Sequence, residues 1–100
     1  MPSQRYKIKA TVWLYPGATA AWHFVTIPRK ESDDIKERFG KHAKGWGSLP
    51  VKATIGKTTW TTSIFPDKKA GAYLLPLKAS VRDKERIRKG DQVTVALNIL

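Results

Sequence analysis

The chain has 100 residues and a formal net charge of +11, from 19 Lys and Arg against 8 Asp and Glu. Its length suits one domain, residues 1–100, and 41% hydrophobic residues suffice for a single modest core. The absence of cysteine excludes a disulfide framework, thiolate chemistry and Cys-ligated metals, and two histidines, His23 and His42, are too few for a His-rich centre.

The dominant hydrophobic period is two, which is the signature of strands with one buried face. Tyr6, Ile8, Ala10, Val12 and Leu14 share one face of a first strand, with Lys7, Lys9 and Thr11 on the other, and Pro16-Gly17 ends it. Trp22, Phe24 and Thr26 alternate with His23, Val25 and Ile27. Both faces are apolar, so this segment reads as a central strand with Trp22 in the core. Ser32-Asp33-Asp34 is a helix start, with Ser32 as N-cap and acids at the positive end of the helix dipole. Ile35 and Phe39 then share a face and Gly40 stops the helix, which spans 32–39.

Residues 40–48, rich in glycine and lysine, read as a loop. Val51, Ala53 and Ile55, a turn at Gly56-Lys57 and the β-branched run Thr58–Ile64 read as a hairpin. Ala72 to Leu77 is a further strand. Ser80 and Asp83 suggest a capping box for a second short helix over 81–87. Val93, Val95, Leu97 and Ile99 alternate cleanly, and their side chains are expected to share one core with Ile8, Val12, Phe24, Val51 and Ile55. The sum is an all-β protein of about six closely spaced strands and two short helices, arranged as a small closed barrel.

No phosphate-binding loop, dinucleotide fingerprint, nucleophile elbow or zinc-protease motif is present. Six of the acids fall in the two helices, where caps and ion pairs are their ordinary use. A noncatalytic protein without cofactor is therefore expected. The first residues lack a signal-peptide core and no apolar run approaches the ~18 residues of a membrane span, so the expected compartment is the cytoplasm, away from membranes.

The charge is uneven. Residues 1–20 carry three bases and residues 41–60 four, and neither segment has an acid. Exposed aromatics beside lysines can stack a base and hold its phosphate. Lys7, Lys9, Trp13, Lys41, Lys44, Trp46 and Lys52 are on this ground the candidate nucleic-acid contacts. The glycines at 40, 45 and 47 would let backbone amides approach an anion; the alternative is a solvated connector. A second candidate set is Trp60, Thr62, Ser63, Lys78 and Arg82, hydroxyls and bases that could converge at a barrel rim around a phosphate or carboxylate. The competing role for Arg82 is to pair with a nearby acid or to cap backbone carbonyls.

One string of segments is more specific than any of these motifs. Trp22-His23-Phe24-Val25, Gly45-Trp46-Gly47-Ser48-Leu49-Pro50-Val51, Trp60-Thr61-Thr62-Ser63-Ile64-Phe65-Pro66, Tyr73-Leu74-Leu75-Pro76-Leu77-Lys78 and Gly90-Asp91-Gln92-Val93 follow one another in an order that resembles DUF1905, a bacterial and archaeal family of unknown function. The likeness runs from about Tyr6 to Ile99. Members occur alone or beside a YdeI/OmpD-associated domain, and this chain resembles the stand-alone form. The resemblance implies a barrel of the double-split, cradle-loop kind, an architecture shared with DNA-binding proteins of the AbrB and MazE type, and it carries over no catalytic residues. Three functions are then compatible with the chain: a binding module for nucleic acid or another polyanion, a small-ligand or anion-binding barrel, and an interaction domain with a protein partner. Monomer and dimer are both open.

Overall fold

A computed structural model describes residues 5–16 and 22–100. Seven strands, β1 (Arg5–Thr11), β2 (Trp13–Leu14), β3 (His23–Thr26), β4 (Leu49–Ile55), β5 (Thr58–Asp67), β6 (Ala72–Leu77) and β7 (Gln92–Ile99), form one antiparallel sheet. Their order is β1-β7-β4-β5-β6-β3-β2. Helix α1 spans Arg29–Phe39 and α2 spans Ala79–Glu85. Among the described residues no helix is long and apolar enough to cross a membrane.

The expected closed six-stranded barrel is not what forms. The sheet has seven strands, curls into a half-barrel, and ends at β1 and β2, with no ladder joining them among the described residues. The expected single strand over 6–14 breaks at Val12, which is still held on the β7 side: its amide bonds the Asp91 carbonyl at 2.8 Å and its carbonyl accepts from Gly90 at 2.8 Å. Before the break the segment pairs with β7; after it, with β3. The same break turns Leu14, expected inside, outward to 39% exposure.

Strand β5 also changes partner. Residues 58–64 pair with β4, whereas 65–67 pair with β6. Two segments that switch partners in mid-course fold the sheet over on itself, and the core lies in the fold. It takes Ile8, Val12, Val51, Ile55, Val93, Val95, Leu97 and Ile99 as the alternation predicts. Phe24 is buried as expected but belongs to a different cluster, packed against Trp13, Tyr15 and Trp22 with ring centroids 5.4, 5.9 and 6.3 Å away.

The helices correct two readings of caps. Helix α1 starts at Arg29 after Pro28, and Ser32, the expected N-cap, is a buried residue of its second turn. Its hydroxyl donates to the Ile27 carbonyl at 2.9 Å and accepts from the Tyr73 amide at 3.0 Å. Helix α2 is set two residues earlier than expected, with Lys78 at its N-cap position and no side-chain cap, so the Ser80–Asp83 capping box does not form. It ends at Arg86, whose left-handed backbone (φ 54, ψ 46) places Ile87 back in the core.

Candidate functional site

The change of partner in β5 leaves a fork in the sheet. Between Thr58 and Ile64, β5 has β4 along one edge; from Leu74 to Leu77, β6 has β3 along one edge. The two strands meet only further on, at Phe65–Asp67 and Ala72–Leu74. Over the fork their facing edges have no strand between them, and unpaired edge groups need other partners. One such partner is Arg82, on α2 where that helix packs against β5; its Nε–H donates to the Leu77 carbonyl at 3.0 Å.

A cavity of about 360 Å³ occupies this fork. Trp22, Phe24, Trp60 and Pro76 supply apolar wall, and Thr62, Lys78 and Arg82 supply polar atoms. None of the residues around it is a carboxylate. Lys78 is exposed and has no partner among the described residues. Arg82 uses its Nε–H on Leu77, which leaves its two terminal nitrogens without a partner among the described residues. Trp60 is 6% exposed, and its indole N–H is buried with no acceptor among the described residues. Such a donor costs ~1–3 kcal/mol until something accepts from it.

Four members of the second sequence-derived set, Trp60, Thr62, Lys78 and Arg82, therefore stand around one cavity. Ser63 does not join them: alternation along β5 turns it to the opposite face, where it is registered with Pro50. Arg82 has both of its weighed features, a carbonyl cap through one nitrogen and a place in the cavity wall through the rest of the fork. Sequence reasoning missed Trp22, His23, Phe24, Pro76 and Leu77. Trp22, read as core, is 58% exposed and leans on Phe24 at the cavity. The signal that could have found it is the apolar character of both faces of β3, since a strand next to the sheet end needs a second apolar neighbour on only one of them.

The first set is scattered over three places. Lys7, Lys9 and Lys52 lie exposed on the outer face of β1, β7 and β4. Lys7 is registered with Ala96, Lys9 with Thr94, and Lys52 with both Asn98 and Thr61. Lys41 and Trp46 belong to two short 3-10 turns, Gly40–His42 and Gly45–Gly47, that precede β4, and Lys44 is at the N-cap position of the second. Trp13, expected on the lysine face, is half-buried beyond the break at Val12, where its indole N–H donates to Thr26 Oγ1 at 3.0 Å.

The described residues contain one further linked group. Tyr6 donates to Asp34 Oδ2 at 2.6 Å, and Arg38 bridges both at 3.0 and 3.3 Å. Burial, and then the bond to Asp34, push the Tyr6 phenol up to about 12. The same bond, first among its causes, holds the Asp34 carboxyl below its ordinary value. The group ties β1 to α1, and none of its three residues lines the fork cavity. No three His, Asp or Glu side chains come together as a metal set among the described residues.

The chain belongs to the family described as a domain of unknown function, DUF1905, which matches residues 9–97. That span contains every residue around the fork cavity. A search of curated proteins finds no match to the chain.

Proposed function

We propose that this protein is a noncatalytic binding domain whose forked sheet takes a small organic anion with a flat apolar body. One observation carries the reading: Lys78 and Arg82 stand with Trp22, Phe24 and Trp60 around a cavity of about 360 Å³ that has no carboxylate in its wall. A volume of that order suits a small ligand. Aromatic walls favour a planar body, and a guanidinium with two open terminal nitrogens beside an ammonium favours a phosphate or carboxylate. The wall has one imidazole, His23, and no carboxylate among the described residues, which supports binding rather than acid–base chemistry by paired carboxylates. A kinship with double-split, cradle-loop barrels is part of the same proposal; the partner switches at Val12 and within β5 support it.

The test is a thermal-shift screen with aromatic carboxylates and phosphate esters on the wild type, Lys78→Ala and Arg82→Ala. A ligand at 100 times its Kd adds ~2.7 kcal/mol of stability. Lys78→Ala should melt like the wild type without ligand, because its side chain has no partner among the described residues, and should lose most of the ligand response. A panel without a stabilising ligand, or equal responses in all three proteins, would refute the site.

A second reading, salt-dependent binding of nucleic acid or another polyanion across the outer face of β1, β7 and β4, has a separate observation in its favour. Lys7, Lys9 and Lys52 share that face with Thr54, Thr94 and Asn98, and those three strands contain no Asp or Glu. Lys7→Ala/Lys9→Ala/Lys52→Ala should weaken duplex binding and flatten its log–log salt slope by about 2.7, at ~0.9 per phosphate contact. An unchanged slope would exclude this face.

A further inference from the structure

Trp46 is 95% exposed, the most exposed of the large hydrophobic side chains described. Its backbone sits at φ 66, ψ 11, in the left-handed region. A bulky L-residue is an outlier there, and such strain persists only where surrounding structure imposes it, commonly at binding sites. The surroundings are visible. Lys44 donates its amide to Ser48 O at 2.8 Å, Gly47 donates to Lys44 O at 2.9 Å, and Ser48 Oγ donates to Gly45 O at 3.2 Å. A Cβ added at Gly47 would stand 2.9 Å from Pro66 Cγ, so the loop is packed against β5. The indole is thus held out into solvent by a braced turn. Burial gives no reason for a tryptophan at this position, and glycine would relieve the backbone.

The surroundings of Trp46 are cationic. Lys41, His42 and Lys44 are exposed, and a cleft of about 480 Å³ beside the turn is bordered by Arg38, Phe39, His42, Lys44, Leu49 and Pro50. From Arg38 to Pro66 the chain has no Asp or Glu. An open indole face on a segment that also carries the exposed Lys41 and Lys44 matches the stacked base and flanking phosphates of a single strand, and bases inside a duplex offer no such face.

We propose that the turn at Gly45–Gly47 is a stacking site for single-stranded nucleic acid, in which one base lies on the Trp46 indole and adjacent phosphates meet Lys41 and Lys44. The proposal is independent of the fork cavity and of the lysines on the outer sheet face. Its sequence preference is weak, because every base has a π-face.

The experiment is fluorescence anisotropy with a labelled oligothymidylate, the matching duplex and anionic phospholipid vesicles as probes. The proteins are the wild type, Trp46→Gly, Trp46→Asn, Lys41→Ala/Lys44→Ala and Lys78→Ala. The wild type should prefer the single strand. Trp46→Gly and Trp46→Asn should each bind it ~5-fold or more weaker, as the loss of one stacked base requires. Neither variant should melt below the wild type, since glycine and asparagine tolerate a positive φ. Removing both lysines should flatten the single-strand salt slope by about 1.4, at ~0.7 per phosphate. Lys78→Ala should bind the oligonucleotide normally, which separates this site from the cavity. Undiminished single-strand binding by a folded Trp46→Gly or Trp46→Asn would overturn the proposal. So would the absence of single-strand binding at micromolar protein in low salt. Trp46-dependent binding of vesicles in place of oligonucleotide would overturn it in favour of a membrane surface.

Discussion

Ser32→Ala tests the most consequential polar contact in the core. The register of β3 and β6 continues past Thr26–Leu74, and at the next pair the Ile27 amide donates to the Tyr73 carbonyl at 2.8 Å. The reciprocal bond, Tyr73 amide to Ile27 carbonyl, is replaced by the Ser32 hydroxyl, which takes the first at 3.0 Å and gives to the second at 2.9 Å. Ser32 is 2% exposed. Alanine leaves a buried N–H and a buried C=O without this partner, each at ~1–3 kcal/mol, so the expected loss is about 2–6 kcal/mol. In a domain of this size the melting temperature falls by ~4–8 °C for each kcal/mol, which gives a drop of at least about 8 °C. Guanidinium unfolding followed by circular dichroism gives the free energy, and amide exchange at Tyr73 localises it. Ser80→Ala is the control, because Ser80 is exposed and caps nothing; it should stay within ~0.5 kcal/mol of the wild type. If Ser32→Ala matched that control with an unchanged denaturant slope, the bridging role would be wrong.

Three other outcomes are expected. Gly56 sits at φ +57, and an added Cβ would strike the Glu85 carboxylate, which accepts from Thr58 Oγ1 at 2.6 Å. Gly56→Ala should cost about 2–4 kcal/mol, and in an Glu85→Ala background only the ~1–2 kcal/mol of the left-handed backbone, as a double-mutant cycle in denaturant would measure. The Tyr6–Asp34 bond predicts pH dependence of two signs. Asp34 is more acidic folded than unfolded, so its contribution is present above the unfolded value near ~4 and is lost as pH falls through the folded one. Tyr6 is less acidic folded, so its contribution is present below 10 and is lost as pH rises towards about 12. Tyr6→Phe should move acid unfolding to higher pH and remove the alkaline loss, both read from melting temperature against pH. Trp13→Phe removes the donor to Thr26 Oγ1 and should cost ~0.5–1.5 kcal/mol, with a further packing loss against Phe24; no change in calorimetric stability would show that the bond contributes nothing.

The sequence by itself determined which side chains enter the core of the regular strands. Alternation is a property of the local backbone, so Val93, Val95, Leu97 and Ile99 point inward whatever β7 pairs with. The hairpin at Gly56-Lys57 was legible for the same reason, and so was the proximity of Trp60 to Thr62 along one strand face. Tertiary structure decided what depended on distant partners. The change of partner at Val12, from β7 before it to β3 after it, separated Trp13 from the lysine face. Ser32 looked like a cap because its partner, the Tyr73 amide, lies 41 residues away. Among tryptophans the chain alone did not distinguish Trp60, under the fold of the sheet, from Trp22 at the fork or Trp46 on its braced turn. Their exposures differ because the curl of the sheet covers one segment and leaves two outside. The fork itself arises from β5 changing partner between Ile64 and Phe65, and no local pattern of side chains records where a strand exchanges one neighbour for another.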